Sequence, residues 1–136
     1  MFFISRWFNM GVVRELADRD LEELSSMILR IWEMDSYGDE IAMPASKGYL
    51  RSCMSKSDFI RVLECDGRAV GCVMARSGNL QMNPQPDPGN YGDESMLNMD
   101  GIETLISDMM ILDSADIRLK EDSGESFDGE LVLLII

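Results

Sequence analysis

The sequence offers few residues for acid-base chemistry, and Glu130 is the strongest candidate among them. It contains no histidine, the commonest general base, so proton transfer falls to carboxylates, tyrosine, lysine or cysteine. Glu130 opens the segment 129–136, G-E-L-V-L-L-I-I, in which six consecutive apolar residues follow the carboxylate. Such a run is typical of a central strand buried on both faces of a covered sheet. A carboxylate at the edge of a buried strand is partly desolvated, which suits it to accept a proton; alternatively, it only marks where the strand leaves solvent.

Trp32, Asp35 and Tyr37 form a second candidate group, close to the end of the first predicted helix. Aromatic and acidic side chains together can hold an aliphatic ammonium group by cation-π and ionic contacts. Trp32 also continues the apolar stripe of the helix, which favours a position in the core, and Asp35 suits a solvated helix end. Both interpretations stay open on the sequence alone.

The cysteines and the acidic segments do not indicate a metal site. Cys53, Cys65 and Cys72 are odd in number and lack the spacing of metal ligands. We therefore expect reduced thiols in a cytoplasmic protein, without disulfides. The acidic segment 122–130 lacks the spacing of an EF-hand, so no metal is predicted there either.

Charge is distributed unevenly along the chain and limits its partners. The net charge is −13, and residues 77–136 carry 13 Asp and Glu but only 2 Lys and Arg. A field of this sign repels nucleic acids and anionic lipid surfaces, so neither is expected as a partner. The apolar segment 1–11 is interrupted by Arg6 and is too short to span a bilayer. A cationic or amine-bearing partner is favoured.

Periodicity and capping signals predict the elements that position these residues. Residues 12–16 fit a short strand. Asp20, with Glu23 three residues later, predicts a capping box that opens a helix over 21–33. Pro44 is expected to prevent a simple continuation, so a second helix is predicted over 45–55.

Asp66-Gly67 lies between two β-rich segments and predicts a two-residue hairpin turn. If Cys65 faces Arg68, both faces of the hairpin are apolar and require cover, which predicts an α/β (α+β) fold with a mixed, mostly antiparallel sheet flanked by helices. A bulge near Gly71 would shift the register. Without a bulge, one face carries Phe59, Leu63, Val70, Cys72 and Met74, and the other carries Ile60, Val62, Ala69, Val73 and Ala75.

The remaining segment, 77–128, is predicted to be an acidic insertion. It begins with a loop containing Pro84, Pro86 and Pro88. A helix capped by Asp100 follows, and a polar connector over 120–129 leads to the last strand. We expect one partial domain in four parts: an extension (1–11), a strand-helix-helix-hairpin unit (12–76), the insertion (77–128) and the central strand (129–136).

In this order, the elements resemble the first half of the GNAT superfamily of N-acetyltransferases. The resemblance is carried by R-E-L-A-D-R-D-L-E-E-L at 14–24, D-G-R-A-V-G at 66–71 and G-E-L-V-L-L-I at 129–135. It implies acetyl transfer from acetyl-CoA to a primary amine. Glu130 would then deprotonate the acceptor amine, and Trp32, Asp35 and Tyr37 would line the acceptor side.

The chain departs from the family at its cofactor signature. The Gln/Arg-x-x-Gly-x-Gly/Ala loop, which presents backbone amides to the pyrophosphate of the cofactor, is absent from the 136 residues. We therefore expect a GNAT fold truncated after its fourth strand, with neither tight acetyl-CoA binding nor activity by itself. An exposed strand or apolar surface would then favour a homo-oligomer. The alternative is a non-catalytic acidic, Met-rich binding module for a basic partner.

Overall fold

The protein has the α+β fold that the sequence predicts, and its four-stranded sheet is antiparallel throughout and not mixed. The computed structural model describes residues 11–78, 96, 98–125 and 128–136. The elements are β1 (Val12–Arg14), α1 (Asp20–Ile31), a 3-10 turn (Met34–Tyr37), α2 (Asp39–Lys56), β2 (Phe59–Cys65), β3 (Arg68–Ser77), α3 (Ile102–Ser123) and β4 (Gly129–Ile135). The strand order is β1-β2-β3-β4, with every neighbouring pair antiparallel. Residues 1–10 of the predicted extension and the three prolines of the predicted loop lie outside the described residues.

The start of α1 differs from the predicted capping box. Asp20 is the first residue of the helix, after Arg19, and its side chain is only 2% exposed. Its carboxylate accepts two hydrogen bonds from the guanidinium of Arg14, at 2.7 and 2.8 Å, and one from the backbone N–H of Ala17, at 2.8 Å. The predicted capping box with Glu23 is wrong because the Asp20 carboxylate binds Arg14 instead. This ion pair joins β1 to α1.

The second and third helices are longer than the predicted ones. The first helix ends at Ile31 and does not continue into the second, as expected, but α2 begins at Asp39 and contains Pro44, so the predicted start at residue 45 is wrong. Burial of Ile41 and Ala45 on either side of the proline stabilises the helical path, although the ring removes one backbone hydrogen bond. α3 starts after Gly101, not at a capping Asp100, and continues to Ser123 through part of the predicted connector.

The hairpin confirms the predicted turn and contains a bulge beside Gly71, the case in which a shifted register was expected. Asp66 and Gly67 both have positive φ angles, 53° and 77°, as a type I′ turn requires. Cys65 pairs with Arg68, but Val70 has no partner because Glu64 pairs with Ala69 and Leu63 with Gly71. This bulge corrects the faces expected without it. Ile60, Val62, Cys72 and Met74 share one face, and Phe59, Leu63, Val73 and Ala75 share the other.

The helices cover one face of the sheet. Val62, Cys72, Met74, Leu133 and Ile135 are buried in a single cluster with side chains from all three helices. On the other face, the apolar side chains of Val13, Phe59, Leu131 and Leu134 are exposed. Among the described residues, the expected cover on both faces is therefore present on one face only.

β4 lies at the edge of the four-stranded sheet and carries Glu130 beside the helices. It pairs with β3, with Val132 as an extra residue between the partners of Met74 and Ala75. A second neighbour, which a central strand would require, is not among the described residues. The strand therefore places its first carboxylate between the covered face of the sheet and α3.

Candidate functional site

A cavity of about 350 Å³ lies between α2, α3 and the strands β3 and β4. Its polar lining comes from all four elements. α2 contributes Tyr49, Ser52, Cys53 and Lys56, α3 contributes Asp113 and Asp116, and the strands contribute Arg76 and Glu130. The predicted catalytic candidate, Glu130, thus lies in a cavity of a size that can hold a small ligand.

Both carboxylate oxygens of Glu130 are engaged in ion pairs. Register places Glu130 opposite Arg76 of β3, whose Nη2 donates to Oε2 at 3.1 Å. Lys120, near the end of α3, donates from Nζ to Oε1 at 2.8 Å. A substrate amine that transfers a proton to Glu130 must first compete with one of these two cations.

Lys120 connects two carboxylates that line this cavity. Its Nζ lies 2.8 Å from Glu130 and 2.9 Å from Asp116, one helical turn earlier on α3. Burial alone would lower the pKa of Lys120, but the hydrogen bonds to Glu130 and Asp116 outweigh this effect and the pKa is raised. The side chain therefore holds a charged primary ammonium group between two carboxylates.

Asp113 is a second carboxylate of the cavity, and the sequence analysis missed it. Burial raises the pKa of Asp113, and nearby Asp116 adds to this effect while Lys56 and Lys120 oppose it. A carboxylate that is more basic than usual is suited to accept a proton near neutral pH. Its sequence context, on the polar flank of a predicted amphipathic helix, carries no signal for this role. The raised pKa of Asp113 arises only because α3 packs beside α2 and buries this carboxylate.

Tyr49 and Cys53 line one side of the cavity, and both side chains stay protonated at neutral pH. Burial raises the pKa of Cys53 to about 11, and burial together with the neighbouring Cys53 raises the pKa of Tyr49. Because the thiolate is the reactive form of cysteine, Cys53 is a poor nucleophile at neutral pH. These two side chains supply shape and weak hydrogen bonding, not nucleophilic chemistry.

The predicted acceptor-side residues lie at different distances from the cavity. Trp32 is exposed and packs edge-on against Tyr49, with ring centroids 5.0 Å apart, so it borders the cavity through that tyrosine. Tyr37 donates its hydroxyl to Asp108 of α3 at 2.6 Å, and this bond, with partial burial, raises its pKa to about 12. Asp35 is exposed on the 3-10 turn, and neither Asp35 nor Tyr37 lines the cavity.

The described part of the chain contains neither a cluster of metal ligands nor a membrane-spanning helix. No group of three or more His, Cys, Asp or Glu among the described residues could hold a metal ion. No helix in the described ranges is long and apolar enough to cross a membrane. The three cysteines carry free thiols.

No family model, no curated protein and no solved structure matches this chain significantly. The resemblance to N-acetyltransferases therefore depends on the sequence motifs and on the order of the elements alone.

Proposed function

We propose that this chain forms the acceptor-side part of an acetyl-CoA-dependent N-acetyltransferase that acts on a primary amine. The observation that carries the proposal is the position of Glu130, which opens β4 and lines the cavity beside Tyr49 and Asp113. The order strand, two helices, hairpin and acidic strand supports it. Because the 136 residues lack the pyrophosphate-binding loop, tight acetyl-CoA binding is not proposed for this chain by itself.

The proposed reaction needs a proton acceptor close to the amine. The amine nitrogen attacks the thioester carbonyl, the C–N bond forms, the C–S bond breaks, and the thiolate leaves. The amine proton passes to Glu130, directly or through water. Lys120 supports this assignment because its own ammonium group lies between Glu130 and Asp116, where an acceptor ammonium would bind. The acceptor would displace Lys120 and then lose its proton.

Amine binding can be tested without acetyl-CoA. Butylammonium chloride is titrated into the protein at constant ionic strength while backbone amide NMR shifts are recorded. We expect Lys120→Ala to bind the probe several-fold more tightly than the wild type, with the largest shifts around Glu130, and Glu130→Gln in the same background to abolish this gain. Glu125→Gln, an exposed carboxylate outside the cavity, is the matched control. Absence of binding to Lys120→Ala would refute the acceptor site.

Activity is tested on the product of the complete reading frame. A Gln/Arg-x-x-Gly-x-Gly/Ala loop encoded after Ile136 would support the enzyme, and a stop codon there would count against it. With acetyl-CoA and a panel of primary amines, Glu130→Gln is expected to lower kcat by roughly 100-fold or more, the usual range for a general base. If kcat is unchanged, the base is not Glu130, and Asp113→Asn tests the other carboxylate of the cavity.

We further propose that the protein is cytoplasmic and self-associates through β4. Free cysteines suit a reducing compartment. The exposed Leu131 and Leu134, together with the position of β4 at the sheet edge, suit pairing with a second copy. Sedimentation velocity checks the second statement, and a stable monomer at high concentration would contradict it.

A second candidate function is a non-catalytic acidic binding module for a basic partner. The observation that favours it is α3, which carries six Asp and Glu residues against two basic ones, a net charge of −4, and exposes large apolar side chains. Such a surface suits a cationic partner with an apolar face. The coding sequence after Ile136 discriminates the two candidates.

A further inference from the structure

The second half of α3 carries an exposed apolar ridge, which we define as Ile111, Leu112, Ala115 and Leu119. The three large side chains are 63%, 62% and 70% exposed, respectively. Ile111, Ala115 and Leu119 follow one another at intervals of four residues, so they form a continuous line along the helix. Large apolar side chains grouped in this way on a surface mark an interaction site more often than scattered ones do.

Packing among the described residues does not account for the ridge. The buried face of α3 is formed by Leu105 and Met109, in the first half of the helix. In the second half, the least exposed residues are Asp113, Ile117 and Lys120, and these are only half-buried. Leu112 borders the cavity between α2 and α3, but most of its side chain stays exposed.

Acidic side chains border the ridge. Asp116 lies four residues after Leu112 and three before Leu119, and Asp122 lies three residues after Leu119. Both aspartates are exposed, and Asp116 is also paired with Lys120 Nζ at 2.9 Å. Arg118 is the exposed base on this half of the helix, and it lies 3.9 Å from Asp122.

We propose that this ridge binds a basic amphipathic helix from another protein, with the apolar face of that helix on the ridge and its Lys and Arg side chains against Asp116 and Asp122. This inference rests on the second candidate function. Charge decides the occupant, because a second copy of this chain would place the same acidic border against itself. A basic helix supplies the opposite charge at the border and apolar area along the ridge.

The probe is a fluorescein-labelled 14-residue peptide of leucine and lysine, with leucines at helical i, i+3, i+4, i+7 spacing. The control peptide has the same composition in an order that forms no apolar face. Fluorescence anisotropy at 0.15 M NaCl measures binding to the full 136-residue chain. We expect the amphipathic peptide to bind at least 10-fold more tightly than the control peptide.

Protein variants then locate the surface. Ile111→Ala with Leu119→Ala is expected to weaken binding at least 10-fold, and Asp122→Asn to weaken it and lower its salt dependence. Val12→Thr with Val13→Thr is the matched control, because these two exposed side chains lie on β1. Unchanged urea midpoints for all variants show that any loss of binding is not a loss of folding.

The outcomes separate this inference from the function on which it rests. If both peptides bind equally well, or if the ridge variant binds like the wild type, the ridge proposal is overturned although an acidic module remains. If neither peptide binds, the ridge and the acidic-module function both fail.

Discussion

Replacing Asp20 by Asn should show how much of the folding stability depends on the buried charge of Asp20. Asp20 is 2% exposed, and its carboxylate accepts hydrogen bonds from the two terminal guanidinium nitrogens of Arg14 and from the Ala17 amide. Breaking a buried ion pair by removing one partner costs about 3–5 kcal/mol. The Arg14 side chain is 19% exposed and keeps some hydration, so we expect a smaller loss, about 2–3 kcal/mol, in the free energy of unfolding.

Urea unfolding, monitored by circular dichroism, measures this loss in the free energy of unfolding. With a denaturant slope of about 2 kcal/mol/M, the midpoint of Asp20→Asn should fall by about 1–1.5 M at pH 7. Asp18→Asn is the matched control, because Asp18 is an exposed aspartate two residues earlier. It should change the free energy by no more than about 0.5 kcal/mol.

The same pair of proteins tests the electrostatic cause. The hydrogen bonds from Arg14 hold the pKa of Asp20 below its usual value, even though burial opposes this effect. A carboxylate with a lowered pKa stabilises the fold above the pKa of the unfolded state, about 3.9, and loses this contribution as the pH falls through its folded value. The difference in the free energy of unfolding between the wild type and Asp20→Asn should therefore decrease below about pH 4. Equal losses for Asp18→Asn and Asp20→Asn, or a gap that does not change in acid, would refute the reasoning.

Three further predictions concern the close backbone approach at Gly101, the hydroxyl group of Tyr37 and the buried thiols. Gly101→Ala should unfold at a lower urea concentration than Gly67→Ala. Both glycines have positive φ, but of the two only a Cβ at position 101 would clash with a backbone oxygen, that of Tyr37. Equal urea midpoints would contradict this. Tyr37→Phe should lose about 1.5 kcal/mol at pH 8. This difference in urea stability should shrink as the pH rises from about 10 towards 12, because the raised pKa stabilises the fold only while the phenol is protonated, and a constant difference would argue against the hydrogen bond to α3. Burial raises the pKa of both Cys53 and Cys72 to about 11, so iodoacetamide at pH 8 should modify them much more slowly in the native protein than in urea, as peptide mass spectrometry can measure; equal rates would show that the thiols are not buried.

Local sequence determined the parts of this protein whose cause lies within a few residues. The hairpin turn follows from Asp66-Gly67, since both positions adopt the positive φ that a type I′ turn requires. The first helix follows from its apolar periodicity, and Glu130 was identified because it opens an apolar strand. The α+β class followed from the combination of these signals.

Tertiary structure decided the contacts and the faces of residues whose partners come from distant segments of the chain. Asp20 suits an N-cap locally, but Arg14 supplies two charge-assisted hydrogen bonds, which are stronger than a single bond to a backbone amide. One unpaired residue, Val70, reassigns half of the hairpin to the opposite face, because side chains alternate with a period of two.

The cavity itself could not be predicted from the sequence. Asp113 and Lys120 come from α3 and Arg76 from β3, and only the packing of α2, α3 and the sheet gives each its ion pair or its shifted pKa. Spacing along the chain contains no information on such contacts, since they depend on how helices and strands from separate segments pack. The sequence therefore determined the carboxylate, and the tertiary structure decided its electrostatic environment.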